Sequence, residues 1–390
     1  MTTPATAVAP GQNAETQPLA TSAVQRSAAR LMHLDLLRVT AVMLVIGHHM
    51  AYPPHDLPAI VRKPLVLWRI GGWVGVDLFF VLSGFLVSGL LFREQQRHGR
   101  FRIGRFLLRR GFKIYPPFYF LLLATIAIEF ALGELPPLGT FVPDVVFVQN
   151  YFGSHWQHTW SLAVEEHFYL LLPLLLLFMA RRSSEPLGPK AFARLPLVFL
   201  VVSVVVLTLR LHALLYVTLG AGHITPTHLR IDSLMFGVLL AYIYHYHHAA
   251  FFRWFSRRRL LLGAGAVLTI LLVALLPRPG IFLHTVGLSM NFLASGVLLG
   301  VLSTLPDTDN RLLRWIAYIG ANSYSIYLWH EVVRRYIGRF TTWSTGVQLS
   351  WAAETALYMS LSIVVGIVLA FAVERPMLAL RDRLVRVPQK

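Results

Sequence analysis

Apolar runs of roughly bilayer-spanning length recur along most of the chain, separated by short polar segments. They predict about ten transmembrane helices, near 34–53, 73–92, 115–132, 160–180, 195–219, 230–248, 260–276, 283–305, 315–337 and 351–373. The expected fold is an all-α polytopic membrane protein, a bundle built from one domain over 34–376. Residues 1–33, rich in Ala, Thr, Pro and Gln at their start, read as a disordered cytoplasmic tail rather than a leader, and 377–390 as a basic cytoplasmic tail.

The polar segments orient this bundle. Segment 93–114 carries Arg93, Arg97, Arg100, Arg102, Arg105, Arg109, Arg110 and Lys113, and 253–259 carries four more arginines, whereas 133–159 has neither Lys nor Arg. Basic loops stay in the cytoplasm, so both termini are expected there and 133–159 outside. The 56–72 segment, with Arg62, Lys63 and Arg69, goes against this pattern.

Composition then narrows the chemistry. The 390 residues are 56% hydrophobic, with a formal charge of +17. That excess sits in the short loops, which argues for a membrane-facing role and against nucleic acid. Cysteine is absent, which excludes disulfides, thiolate metal sites and a cysteine nucleophile. Zinc-protease, P-loop, dinucleotide and calcium-loop signatures are missing, and Ser83 in VLSGF lacks the serine-hydrolase elbow. No metal site is expected.

Against this apolar background the buried ionisable residues stand out. In DLLRVTAVMLVIGHHMAY, Arg38 and His49 are eleven residues apart, about 20° from a whole number of turns and roughly 16 Å along the axis. They share a face while His48 points elsewhere; either the two serve function, or Arg38 snorkels to one interface and the histidines mark the other. Asp77, Glu165 with Glu166, Arg230 with Asp232, and His330 with Glu331, Arg334 and Arg335 fall at similar depth on four other spans. Arg230–Asp232 and Glu331 with Arg334 or Arg335 read as ion pairs, and Asp77 as a catalytic candidate or an interhelical hydrogen-bond partner. At least one of Glu165 and Glu166 should face a polar cavity, since successive helical residues diverge by about 100°. What these residues leave is a histidine, His49, with carboxylates nearby and a cytoplasmic apron of arginines.

The chain also resembles membrane-bound acyltransferase family 3, a group that O-acetylates bacterial surface polysaccharides, lipopolysaccharide, peptidoglycan and some macrolides. The resemblance rests on Arg38 and His49 with ten residues between, GVDLFFVLSGFL at 75–86, RRGFKIYPPFY at 109–119, HTWSLAVEEHFYL at 158–170, RIDSLMFG at 230–237 and SYSIYLWH at 323–330. Members commonly have arginine where Lys113 stands, which exchanges a bidentate phosphate contact for a point charge.

It implies a multi-pass protein of the bacterial inner membrane, with acetyl-CoA or another acyl-CoA as donor substrate, no permanently bound cofactor, and membrane lipid around it. Arg38, Arg110 and Lys113 would seat the nucleotide end. His49 would be the general base that takes the proton of the acceptor hydroxyl, with Glu165 or Glu166 orienting its ring or stabilising its charge. A transient acyl-histidine is the competing mechanism. The acceptor would be a glycan or lipid-linked glycan, with a small molecule such as a macrolide as the alternative; a secondary transporter is the rival from another class. Some members carry an extracytoplasmic hydrolase-like domain; if transfer needs one here, a separate transferase protein is expected to supply it.

Overall fold

In the computed structural model, the described residues are 18–385, apart from 184, 186–187, 217–223, 277–279 and 307. Among them every regular element is helical. We number the longer helices α1 (Pro18–His49), α2 (Ala59–Gly71), α3 (Gly75–His98), α4 (Ile103–Ala131), α5 (Trp160–Arg181), α6 (Leu195–Tyr216), α7 (Ile231–Tyr246), α8 (His248–Arg257), α9 (Arg259–Ala274), α10 (Leu288–Leu302), α11 (Arg311–Ala321), α12 (Ser323–Thr345), α13 (Trp351–Leu369) and α14 (Arg375–Leu384).

Among the described residues, six helical stretches are long and apolar enough to cross a membrane: Ala59–His98, Ile103–Ala131, Gln157–Arg181, Pro189–Tyr216, Leu283–Leu302 and Trp351–Leu384. Two shorter apolar helices, α7 and α9, accompany them, against the ten spans expected from hydropathy. The difference has a physical origin in α1 and α12, whose polar residues form the site below.

Three boundaries depart from expectation. Helix α1 begins at Pro18, so the proposed tail boundary at residue 33 falls inside a helix, consistent with the helix propensity of the Ala-rich 20–31 segment; residues 1–17 lie outside those described. The dissenting basic segment 56–72 is largely helix α2. The expected span 315–337 is broken at Asn322, whose side-chain amide donates to the Tyr318 carbonyl at 2.8 Å, a local bond that competes with continuing the helix. At the other end, helix α14 carries 375–384, and 386–390 lie outside those described.

Close helix crossings hold the bundle. A Cβ on Gly84 would lie 2.0 Å from the Leu234 carbonyl oxygen, and one on Gly237 2.3 Å from that of Val81, so α3 and α7 meet backbone to backbone. Glycine permits this approach, which membrane helices use in place of a hydrophobic driving force.

Buried ion pairs add specificity, with partners other than those expected. Arg230 pairs with Asp77 at 2.8 Å, and Asp232 with Arg210 at 2.7 Å. Residues two apart at a helix start point about 200° from each other, so Arg230 and Asp232 face different neighbours. Asp77 is also held by the Asn291 amide at 2.9 Å, the interhelical bonding that its alternative reading expected.

Candidate functional site

Three elements converge on His49. The last turn of α1 supplies His48 and His49, α12 supplies Tyr327, His330 and Glu331, and a 3₁₀ turn before α5 supplies His158. Because α12 starts afresh after Asn322, His330 and Glu331 lie in its first turns, against the end of α1.

Their hydrogen bonds select tautomers. His330 Nδ1 lies 2.6 Å from the Tyr327 carbonyl, so it carries the proton and leaves Nε2 with a lone pair. That Nε2 lies 3.3 Å from His49 Nδ1, which is also 2.9 Å from the Val45 carbonyl; both acceptors require His49 to be protonated on Nδ1. His49 Nε2 is therefore the unprotonated nitrogen. It lies 3.7 Å from Glu331 Oε1, a buried oxygen with no hydrogen-bond partner among the described residues. The other oxygen of Glu331 accepts from Arg334 Nε and NH2, both at 2.8 Å, which fixes the carboxylate and aims Oε1 at the ring.

Among the described residues His49, His330 and Glu331 offer ligand atoms within 4.8 Å of one another, close enough to share a cation.

The ring of His158 lies 4.9 Å from that of His330, and its Nε2 lies 3.2 Å from the Leu328 carbonyl. Tyr327 donates to the His158 carbonyl at 2.5 Å and shares a 2.7 Å bond with Ser161. Farther out, Asp144 accepts from Ser154 at 2.7 Å and Thr159 at 3.3 Å, pinning the turn that carries His158. Burial pushes the Asp144 carboxyl above its usual range, against the lowering effect of these hydrogen bonds.

Cavities link this cluster to the arginines. A cavity of about 190 Å³ is walled by His48, His49, Trp73, Trp160 and Arg230. Val76 and Tyr327 also line a second cavity, of about 140 Å³, with Arg38, Ser83, Glu165 and Tyr324. Arg110 and Lys113 are shared in turn between that chamber and a third, of about 340 Å³, among Arg93, Arg97, Arg105 and Arg109. A cluster of arginines thus lies at one end of a stepped series, and His48, His49 and His158 lie at the other.

The expected donor-side residues fall at the middle of this series, each with a partner already. Arg38 pairs with Asp35, one turn away. Lys113 donates to Glu374 Oε1 at 2.8 Å, and Ser325 to the other oxygen at 2.8 Å. Arg110 lies over the rings of Tyr169 and Phe106, at 5.6 and 5.9 Å, leaving its guanidinium between the two cavities.

Glu165 and Glu166 do not reach His49. Tyr169 donates to Glu165 Oε2 at 2.6 Å and shares a 2.6 Å bond with Ser83, while Tyr115 donates to Glu166 Oε2 at 2.8 Å. They stand seven and eight residues beyond His158, roughly 10 Å along α5. Glu165 instead lines the middle chamber, as its polar-cavity reading requires. The carboxylate beside His49 is Glu331, expected in an ion pair with Arg334 or Arg335; the pair with Arg334 is present too, while Arg335 pairs with Glu129. His48 turns to a different neighbour from His49, as expected, with its Nδ1 2.7 Å from the Arg69 carbonyl on α2, although both rings line the same cavity at the end of α1. His158 was the residue missed, although it sits in the same HTWSLAVEEHFYL stretch; nothing in its spacing distinguished it.

Comparison with known proteins follows this geometry. The family model described as "Acyltransferase domain", Acyl_transf_3, matches residues 33–373. Peptidoglycan O-acetyltransferase OatA of Listeria monocytogenes is 26% identical over 324 residues, 76% of this chain and 48% of that protein. O-acetyltransferase OatA of Staphylococcus aureus is 28% identical over 230 residues, 54% of this chain and 34% of that protein. The chain therefore spans about half or less of the length of these curated relatives. No solved structure matches.

Proposed function

Since the chain belongs to the Acyl_transf_3 family of acyltransferase domains, and carries several apolar helices as a multi-pass membrane protein, we propose that it is an O-acetyltransferase. It moves acetyl, or another short acyl group, from cytoplasmic acyl-CoA to a hydroxyl of an exported or cell-surface glycan, in the inner membrane of a bacterium. The observation that carries this reading is the stepped series of cavities from an arginine-lined mouth to His49.

The donor's phosphates would meet Arg93, Arg97, Arg105 and Arg109 in the largest chamber of the series, where charge-assisted hydrogen bonds hold anions. Its pantetheine arm would pass Arg110 and Lys113 into the narrow middle chamber, past Arg38. About 16 Å separates Arg38 from His49 along α1, which suits such an arm. The thioester then lies near Tyr327, where the middle and histidine cavities meet.

At His49 the unprotonated Nε2 takes the proton of the acceptor hydroxyl as its oxygen attacks the thioester carbonyl carbon. The carbon–sulfur bond breaks, the sulfur leaves as thiolate, and the imidazolium returns its proton to give the free thiol. Positioned base catalysis of this kind contributes about 10²- to 10⁴-fold. Glu331 Oε1 stabilises the imidazolium, and His330 holds the ring through Nδ1.

The glycan acceptor is supported by the peptidoglycan named in one relative. The test is transfer of radiolabelled acetyl from acetyl-CoA to isolated cell-wall glycan by the purified protein in liposomes. Label in the glycan as an alkali-labile ester, absent with His49→Ala, is the expected result; CoA release without any esterified product overturns the reading.

A further inference from the structure

The largest cavity among those described lies outside the series leading to His49. It measures about 590 Å³ and lies between α7, α8 and α10. Phe236, Leu240, Ile243 and Val297 line its depth, and Arg253, Arg257 and Arg258 its rim. The geometry points to a binding site for an anionic phospholipid, with an acyl chain against the apolar wall and the phosphate among the three arginines.

Helix α8 explains the arrangement. In HAAFFRWFSR, Phe251 and Phe255 are four residues apart and buried, so they share the inward face, while Arg253, Trp254 and Arg257 are exposed. This short helix follows α7 and precedes α9, whose first turn exposes Leu260 and Leu261. A cationic amphipathic helix with an exposed tryptophan, set against exposed leucines, has the composition of a segment lying in a membrane interface.

Charge complementarity selects the occupant. None of Arg253, Arg257, Arg258 and Arg259 forms an ion pair among the described residues. The three guanidinium groups on the rim repel one another until an anion joins them, and a phosphodiester accepts two or more hydrogen bonds from such a group. The same end of the bundle holds the 93–97 arginines, since Gln96 on α3 donates to the His245 carbonyl at 3.3 Å near the end of α7. By the distribution of basic residues this is the cytoplasmic end, where anionic headgroups attract arginine. Because the apolar wall comes from two membrane helices and opens beside exposed leucines, the surrounding leaflet supplies the ligand.

Trp254 on the rim provides the probe. The full-length protein in nanodiscs of phosphatidylcholine is titrated with phosphatidylglycerol brominated on its acyl chain, or with equally brominated phosphatidylcholine. The Trp254 contribution is isolated by difference from Trp254→Phe. Brominated phosphatidylglycerol should quench at lower mole fraction than the neutral lipid, with the preference falling by roughly fivefold for each arginine removed. Raised salt should shrink it, and Arg253→Gln/Arg257→Gln/Arg258→Gln should nearly abolish it.

Equal quenching by the two lipids overturns the proposal, as does a preference unchanged by salt in the wild type, which needs no variant to fold. Displacement by glycerol phosphate at equal concentration would show a simple anion site instead, and displacement by long-chain acyl-CoA a second nucleotide site; either also overturns it.

Discussion

Replacing Glu331 by glutamine tests the arrangement around His49 most directly. The substitution keeps the size of the side chain and an oxygen for Arg334, but removes the charge 3.7 Å from His49 Nε2. At an effective dielectric of about 20, a full carboxylate at that distance stabilises an imidazolium by roughly 4 kcal/mol. Arg334, at 2.8 Å from the other oxygen, offsets part of this, although its own side chain is half exposed and therefore screened. If about half survives, the transition state loses about 2 kcal/mol, which is on the order of a 30-fold fall in kcat.

Glu331 acts through His49 rather than on substrate, so the kinetic signature is specific. Steady-state transfer at saturating acceptor should show kcat falling while the KM for acyl-CoA stays within about twofold, because the arginine chambers are untouched. Glu331→Asp should recover part of the rate. Glu165→Gln and Glu166→Gln, whose carboxylates bond tyrosines instead, should leave kcat higher than Glu331→Gln does. A folded Glu331→Gln protein with wild-type kcat, or one whose whole loss sits in the donor KM, would refute the assignment of this carboxylate to the imidazolium.

Other outcomes follow from the same structure. His49→Ala should bind acyl-CoA in a calorimeter as the wild type does yet transfer about 10²- to 10⁴-fold more slowly; wild-type turnover would remove His49 from the chemistry. Arg110→Ala, which strips the guanidinium shared by two chambers, should weaken donor binding by the roughly 1.5–3 kcal/mol of a charged hydrogen bond, and unaltered CoA affinity would exclude it from the path. Gly84→Ala places a Cβ 2.0 Å from the Leu234 carbonyl oxygen and should destabilise the α3–α7 crossing by about 1–3 kcal/mol, read as a lowered Tm in detergent. Reporter fusions at Gly99 and Gly139 should report opposite sides of the membrane, and the same side at both would remove the proposed orientation.

The sequence by itself determined the helical, membrane-embedded class, because long apolar runs admit few other structures and carry the information locally. It also identified Arg38 and His49, whose positions along α1 follow from helix periodicity, and the arginine-rich 93–114 segment that lines a chamber.

What tertiary structure decided was partnership. Asp77, Asp232, Glu165, Glu166 and Glu331 are all carboxylates in apolar surroundings, and hydropathy gives each an approximate depth but no direction or neighbour. Arg230 chose Asp77 over its near neighbour Asp232 because helix geometry sends residues two apart to different sides. Glu331 reached His49 because α12, restarting after Asn322, packs its third turn against the end of α1, while two turns of α5 carried Glu165 and Glu166 beyond range. A shift of one or two turns, about 5–10 Å, is small for a hydropathy profile but exceeds any hydrogen bond, so the crossing of distant helices decided which groups meet.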